Sequence, residues 1–115
     1  MNWYLVKLIY SIDGYNNQTN AQFDEQLRLV NAPNQEGAYF KAKQLGKKLQ
    51  ADFETEQVAT LSWTFIDVSE VVKVEQLSDG VELYSNTIET YDKKSFIDTV
   101  LQKAMTIQSK SLVFC

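Results

Sequence analysis

Histidine is absent from this 115-residue chain, and that absence excludes more chemistry than any other feature of its composition. Histidine is the commonest general base near neutral pH and the commonest protein ligand for transition metals. Its absence argues against zinc and haem sites and against hydrolysis by a Ser-His-Asp triad. We expect a protein that carries no cofactor and has no enzymatic activity.

Cysteine and glycine are also scarce. The single cysteine, Cys115, excludes an intrachain disulfide, so the fold does not require an oxidising compartment. None of the four glycines forms a GxGxxG or GxxxxGK motif for binding a dinucleotide or phosphate. Apolar runs are only a few residues long, and the first residues do not resemble a basic signal-peptide start. We therefore expect a cytoplasmic protein with no membrane partner.

Basic residues are outnumbered by acidic ones, 11 to 15, which gives a formal net charge of -4. This balance opposes non-specific attraction to the phosphates of nucleic acids. Four lysines lie on the outer surface of the first predicted helix: Lys41, Lys43, Lys47 and Lys48. We interpret them as a solvated helix face and predict no nucleic-acid partner, with RNA binding as the less favoured alternative.

The chain begins with two predicted strands. Residues 3–12 are rich in β-branched and aromatic side chains, and both faces of this segment are apolar, which is typical of a central strand covered on both sides. Residues 13–20 contain Gly, Asp and three Asn and predict a loop. A second strand over residues 22–31 is expected to form an antiparallel hairpin with the first.

The next predicted element is a helix over residues 35–51. Pro33 ends the second strand, and Asn34 is a suitable N-cap because its side-chain oxygen can accept a hydrogen bond from the first turn. A stripe of mostly small side chains predicts a close approach of this helix to a sheet. The stripe consists of Ala38, Ala42, Leu45 and Leu49, with Gly46 beside it.

Alternating apolar residues then predict a third strand over residues 57–68. Asp79 and Gly80 stand between two apolar runs, which predicts a hairpin of strands over residues 71–77 and 81–88. Asp92 is a suitable cap for a last helix over residues 93–109, whose apolar stripe is typical of core packing.

The predicted order is β-β-α-β-β-β-α within one domain, residues 1–115. This is an α+β fold, with an antiparallel or mixed sheet of about five strands and a helix packed on one face. The last helix either covers the other face or reaches a second subunit. The apolar tail, residues 112–115, is either docked or ordered only in an oligomer.

Several segments together resemble a short bacterial family of unknown function, DUF4288. They are residues 2–8, 22–30, 38–47, 63–68 and 79–85. The resemblance covers roughly residues 2–85 and leaves out the last predicted helix. It implies a bacterial, single-domain protein, and it implies no activity, because the family has none established.

Glu25 is the most unusual polar residue, since alternation places its carboxylate among Phe23, Leu27 and Leu29. A carboxylate in apolar surroundings needs a partner or a raised pKa, and Lys7 on the first strand is the natural partner. Glu25 is either a ligand-contacting acid in an aromatic pocket or a paired or solvated residue near the open end of the hairpin. We favour the second interpretation.

The opposite face of the second strand carries a polar row of Asp24, Gln26 and Arg28. These side chains are expected to pair across strands with Lys7 or with the third strand. Such rows are usually solvated faces or subunit contacts, and a specific binding role is the less favoured alternative.

Aromatic residues make up 12% of the chain, more than one small core readily buries. We therefore predict a non-catalytic protein-interaction module that pairs with itself as a homodimer or with another protein. Its contact surface is expected around Trp3, Leu5 and the polar row. The alternative is a small-molecule binding protein or carboxylate-based enzyme with a pocket near Glu25 and Trp63, also containing Asp24 and Arg28.

Overall fold

The computed structural model describes residues 1–14, 21–56 and 61–114, which form an α+β fold. The chain divides into two compact units, Met1–Ser85 and Asn86–Cys115. The first unit contains β1 (Asn2–Gly14), β2 (Gln22–Ala32), α1 (Gln35–Glu56) and β3 (Leu61–Val74), and the second contains α2 (Lys93–Phe114). Most of the predicted loop (15–20), the start of the predicted third strand (57–60) and Cys115 lie outside the described residues.

The sheet is antiparallel, with the strand order β2-β1-β3. The hairpin predicted for the first two strands is confirmed, with Tyr4 opposite Val30 and Tyr10 opposite Asp24. The central position predicted for the first strand is confirmed as well. It follows from the composition of β1, because a strand with two apolar faces needs contacts on both of them.

The prediction of five strands is wrong, since the described residues form a sheet of three. The predicted third and fourth strands are one element, as β3 continues through Ser69 and Glu70 to Val74 while still pairing with β1. Its register shifts twice, opposite Lys7 to Leu8 and opposite Ile9 to Tyr10. Each bulge adds a residue to β3 and interrupts the alternation of apolar and polar side chains. The sequence pattern therefore predicted two strands where the structure has one.

The predicted turn at Asp79 and Gly80 is formed, but the hairpin predicted around it is not, because the strand before it ends at Val74 as part of β3 and residues 81–88 form no strand. The Val81 N–H donates a hydrogen bond to the Ser78 carbonyl oxygen at 3.1 Å, and Gly80 has φ +83°. Residues 75–77 and 81–88 have no strand structure. Local residues are enough to specify a turn, whereas a strand also requires a partner edge.

The core lies between α1 and one face of the sheet, here called the helix side. Its buried residues are Tyr4, Val6, Leu8, Tyr10, Val30, Ala32, Ala38 and Ala42. The close approach predicted from the small-residue stripe is confirmed at Gly46, where an added Cβ would overlap the Phe65 ring. The Tyr10 hydroxyl also donates to the Gly46 carbonyl oxygen at 2.9 Å, which fixes the helix over β1.

The predicted N-cap of α1 is confirmed, because the Gly37 N–H donates to Asn34 Oδ1 at 2.8 Å. Asp67 of β3 links the sheet to the helix by accepting a hydrogen bond from the Tyr39 hydroxyl of α1 at 2.9 Å, and it also accepts one from the Val68 N–H of its own strand at 2.7 Å. These two bonds, with Lys43 3.7 Å away, hold the pKa of the Asp67 carboxyl below its usual range.

In the second unit, the predicted cap of α2 is confirmed by a hydrogen bond from the Ser95 N–H to Asp92 Oδ1 at 2.9 Å. The helix is longer than predicted and continues to Phe114. Its side chains over residues 93–110 are all exposed, including those of the apolar stripe predicted for core packing. Among the described helices, none has the length and apolarity needed to cross a membrane.

Candidate functional site

The five candidate residues from the sequence analysis lie on two different faces of the sheet. They are Trp3, Asp24, Glu25, Arg28 and Trp63. Successive side chains of a strand point to opposite faces, so Asp24 and Arg28, which lie opposite Tyr10 and Val6, share the helix side with them. Trp63 is also on the helix side, since its ring contacts that of Tyr10. Trp3 and Glu25 lie on the other face, here called the open face.

Of the residues predicted for a pocket near Glu25 and Trp63, the structure brings Trp63 and Arg28 together on the helix side and places Glu25 on the other face. Glu25 lies opposite Ile9 on the open face and is exposed. Trp63 lies against Tyr10 and Phe53 on the helix side. The prediction placed Glu25 correctly with Phe23 and Leu27 but did not determine which face of the sheet the helix covers.

The open face carries a group of exposed apolar side chains along β2 and the start of β1. Between 44% and 60% of the accessible area of each remains exposed. The group consists of Trp3, Phe23, Leu27 and Leu29. At about half of the area of a large side chain each, together they expose roughly 400 Å², the scale of the largest apolar patch on a typical monomer.

Lys7 lies near the middle of the open face and is held by Tyr84. Its Nζ donates to the Tyr84 hydroxyl oxygen at 3.0 Å and lies 4.5 Å from the centre of that ring. The hydrogen bond with Tyr84 is the main cause that raises the pKa of the Lys7 ammonium, and Glu25 and Glu70 contribute through their charges. The main partner of Lys7 is therefore Tyr84, where the sequence predicted Glu25.

On the helix side, α1 crosses the sheet obliquely and leaves the first half of β2 uncovered. Near the start of the helix, Lys41 Nζ donates to the Asn31 carbonyl oxygen of β2 at 2.8 Å. Near its end, Phe53 stacks on Trp63 of β3. The space left beside β2 is a cavity of about 340 Å³, here called the groove. Residues that line it include Tyr10, Gln26, Arg28, Asp52, Phe53 and Trp63.

The polar row of β2 forms a chain of hydrogen bonds along one side of the groove. Gln26 Nε2 donates to Asp24 Oδ2 at 2.7 Å, and Arg28 Nη2 donates to Gln26 Oε1 at 2.9 Å. The predicted pairing of this row with Lys7 is wrong, because Lys7 points to the open face. The side chains instead pair with each other at intervals of two residues, on the same face of one strand.

Tyr10 forms part of the groove floor, where burial raises the pKa of its hydroxyl. Sequence reasoning did not assign Tyr10, Asp52 or Phe53 to a site. A signal for Phe53 was present, because it follows Leu49 by four residues and so extends the apolar stripe of the helix by one turn. Nothing comparable marked the contact of Phe53 with Trp63, which depends on the helix crossing.

A family model described as "Domain of unknown function (DUF4288)" matches residues 3–85, which is nearly the whole of the first unit. No curated protein and no solved structure matches the chain. Within the described ranges, no group of three or more potential metal-ligating side chains lies together.

Proposed function

The chain belongs to the DUF4288 family, whose function is unknown, and we propose from its geometry that it is a non-catalytic protein-interaction module of the bacterial cytoplasm. The module pairs with a second copy of itself through the open face. The observation that carries this proposal is the exposed apolar group formed by Trp3, Phe23, Leu27 and Leu29.

The size of the open face supports a small dimer contact. Three strands spaced about 4.8 Å apart, with eleven paired residues that each advance about 3.3 Å, give a projected area of roughly 500 Å². Accessible area exceeds projected area because side chains are corrugated. Leu5 and Val74 on this face are already buried within the chain. The free part of the face is therefore smaller than the ~800 Å² that each partner buries in a standard interface, and it suits a small, weak dimer contact.

The charges of the open face also suit a two-fold contact. In such an interface the same surface is used on both copies, so each charge meets whatever lies at the symmetry-related position. The face carries the Lys7 ammonium together with the carboxylates of Glu25 and Glu70, and thus both signs. A second copy can place the Lys7 ammonium of one chain against Glu25 or Glu70 of the other near the middle of the face. The exposed leucines and tryptophan then pack around these charges.

The test is the mass of the protein in solution, measured by light scattering on the wild type and on Trp3→Ala and Leu27→Ser. We expect a wild-type dimer and folded monomers for both variants. Leu5 is unsuitable for this purpose because it is 6% exposed and its loss would also destabilise the chain. Phe40→Ser is the matched control, since Phe40 is an equally exposed apolar residue on α1.

Two outcomes contradict the proposal. A wild-type monomer at high concentration means that the open face does not pair with itself. A dimer that both variants leave intact means that the copies meet elsewhere.

A further inference from the structure

The groove on the helix side combines an aromatic wall with a cationic one, and neither wall is needed for the dimer. On the aromatic side, Phe53 and Trp63 stack with their centres 4.8 Å apart and their planes at 27°. The Tyr10 ring lies 6.1 Å from Trp63. Aromatic rings prefer contacts with centres about 4.5 to 7 Å apart, so a planar ring in the groove would extend this cluster.

Trp63 also carries an unused donor. Its Nε1 is buried, and among the described residues it has no hydrogen-bond acceptor. A buried donor without a partner is unfavourable, and most such groups in proteins are paired. Because this atom is buried, a ligand in the groove would contact the Trp63 ring and not its N–H.

The cationic wall is Arg28, whose guanidinium is oriented by the chain of hydrogen bonds through Gln26 to Asp24. Arg28 uses one N–H in this chain, and in the described part of the structure no carboxylate forms an ion pair with it. The remaining N–H groups are a planar fork whose geometry matches the two oxygens of a carboxylate. Asp24 acts on Arg28 through Gln26, so it positions the guanidinium without neutralising it by direct contact.

The size and charge of the groove limit the ligand. A volume of about 340 Å³ is near the lower end of small-molecule sites, which favours a single ring with a short substituent. Asp52 also lines the groove, and its carboxylate repels each negative charge of a ligand, so every charge beyond the one paired with Arg28 is unfavourable. A monoanion therefore fits better than a phosphate or a dicarboxylate.

From these features we propose that the groove binds a small aromatic monocarboxylate. Its carboxylate pairs with the Arg28 guanidinium, and its ring packs against Phe53 and Trp63. This site lies on the opposite side of the sheet from the proposed dimer contact, and it needs no residue from a second copy.

The experiment is a titration of the full chain with phenylacetate, followed by tryptophan fluorescence. In a Trp3→Phe background Trp63 is the only tryptophan, so the signal reports the groove. We expect a saturable change with phenylacetate. Phenylacetamide, which has nearly the same shape without the charge, should bind at least about tenfold more weakly, and so should butanoate, which lacks the ring.

Variants of the cationic wall complete the test. Arg28→Gln should weaken phenylacetate binding by at least about tenfold, while Lys73→Gln, which removes a cation on β3, should leave it unchanged. Leu27→Ser, on the open face, should also leave it unchanged, which separates this inference from the proposed dimer. Circular dichroism should show that Arg28→Gln remains folded, since Arg28 is exposed.

The inference is overturned by the absence of a saturable response. It is equally overturned if the Arg28→Gln variant binds phenylacetate as tightly as the protein with Arg28 does. The same holds if phenylacetamide binds as tightly as phenylacetate. Amide chemical-shift changes confined to residues away from β2 and the end of α1 would also overturn it.

Discussion

On the helix side of the sheet, β1 contributes side chains that are almost completely buried, whereas the open face of the same sheet keeps Trp3, Leu27 and Leu29 about half exposed. Both faces are built from similar apolar residues. The difference is how completely they are covered. α1 covers the helix side over β1. The open face is covered in part: Leu5 and Val74 are buried and Tyr84 contacts Lys7, while Leu27 and Leu29 on the edge strand β2 stay exposed. Hydrophobicity along a strand therefore indicates that a face requires cover, but not whether the cover belongs to the same chain.

The largest expected difference between the two faces comes from one substitution made on each. Leu8→Ala should reduce the free energy of unfolding by about 3 kcal/mol, because Leu8 is fully buried and its truncation leaves a cavity. Leu27→Ala should reduce it by less than about 1 kcal/mol in dilute protein, since Leu27 is 53% exposed. Urea unfolding followed by circular dichroism measures both values. Equal losses would show that the open face is as well packed as the helix side.

A second comparison examines how closely α1 approaches the sheet. Gly46→Ala should destabilise the protein by about 1 to 3 kcal/mol, because its methyl group would overlap the Phe65 ring. Alanine is otherwise the better helix former by about 1 kcal/mol. Gly37→Ala is the control. Its Cβ would lie 3.3 Å from Asn34 Oδ1, a tight contact that offsets part of the helix preference of alanine, so the variant should be stabilised by no more than about 1 kcal/mol. A neutral Gly46→Ala would mean that the helix lies farther from the sheet.

Substitution of Tyr10 should have a smaller effect on the free energy of unfolding, and this effect should depend on pH. Tyr10→Phe should reduce stability by about 1 kcal/mol through loss of the hydrogen bond to the Gly46 carbonyl. Burial raises the pKa of Tyr10 in the folded state, so its contribution is complete below pH 10.0, the ordinary value, and is lost as the pH rises through the folded pKa. The decline in stability above pH 10 should therefore be shallower in Tyr10→Phe. Tyr91→Phe, which removes a tyrosine hydroxyl at an exposed position, is the matched control.

The smallest predicted effect involves Asp67 at the margin of the core. Hydrogen bonds from Val68 and Tyr39 lower the pKa of its carboxyl, so this stabilisation is present above the ordinary value of 3.8 and is lost as the pH falls through the folded pKa. Asp67→Asn removes the titrating carboxyl. The difference in the free energy of unfolding between wild type and variant should therefore become smaller in acid, where the wild-type carboxyl is protonated. Thermal unfolding at pH 6 and pH 3 measures it, and a constant difference would contradict the assignment.

The sequence was sufficient for features determined within a few residues. The caps at Asn34 and Asp92, the turn at Gly80 and the central position of β1 were all predictable, because each depends on local chemistry or alternation. The bulges in β3 were not predictable from the sequence, because they arise from the pairing of β3 with β1. The candidate site was predictable only in its residue types. Arg28 and Trp63 share the groove because of the angle at which α1 crosses the sheet, and no pattern in the sequence specifies that angle.

The most direct test of the central claim, that the open face is a surface for a second copy, is the solvent exposure of Trp3 as the protein is diluted. In a Trp63→Phe background, Trp3 is the only tryptophan, and iodide quenching of its fluorescence reports its exposure. We predict that Trp3 is protected in concentrated protein and becomes accessible over the same dilution that halves the mass in light scattering. Quenching that is equally strong at every concentration would show that Trp3 faces water throughout, and would contradict the claim.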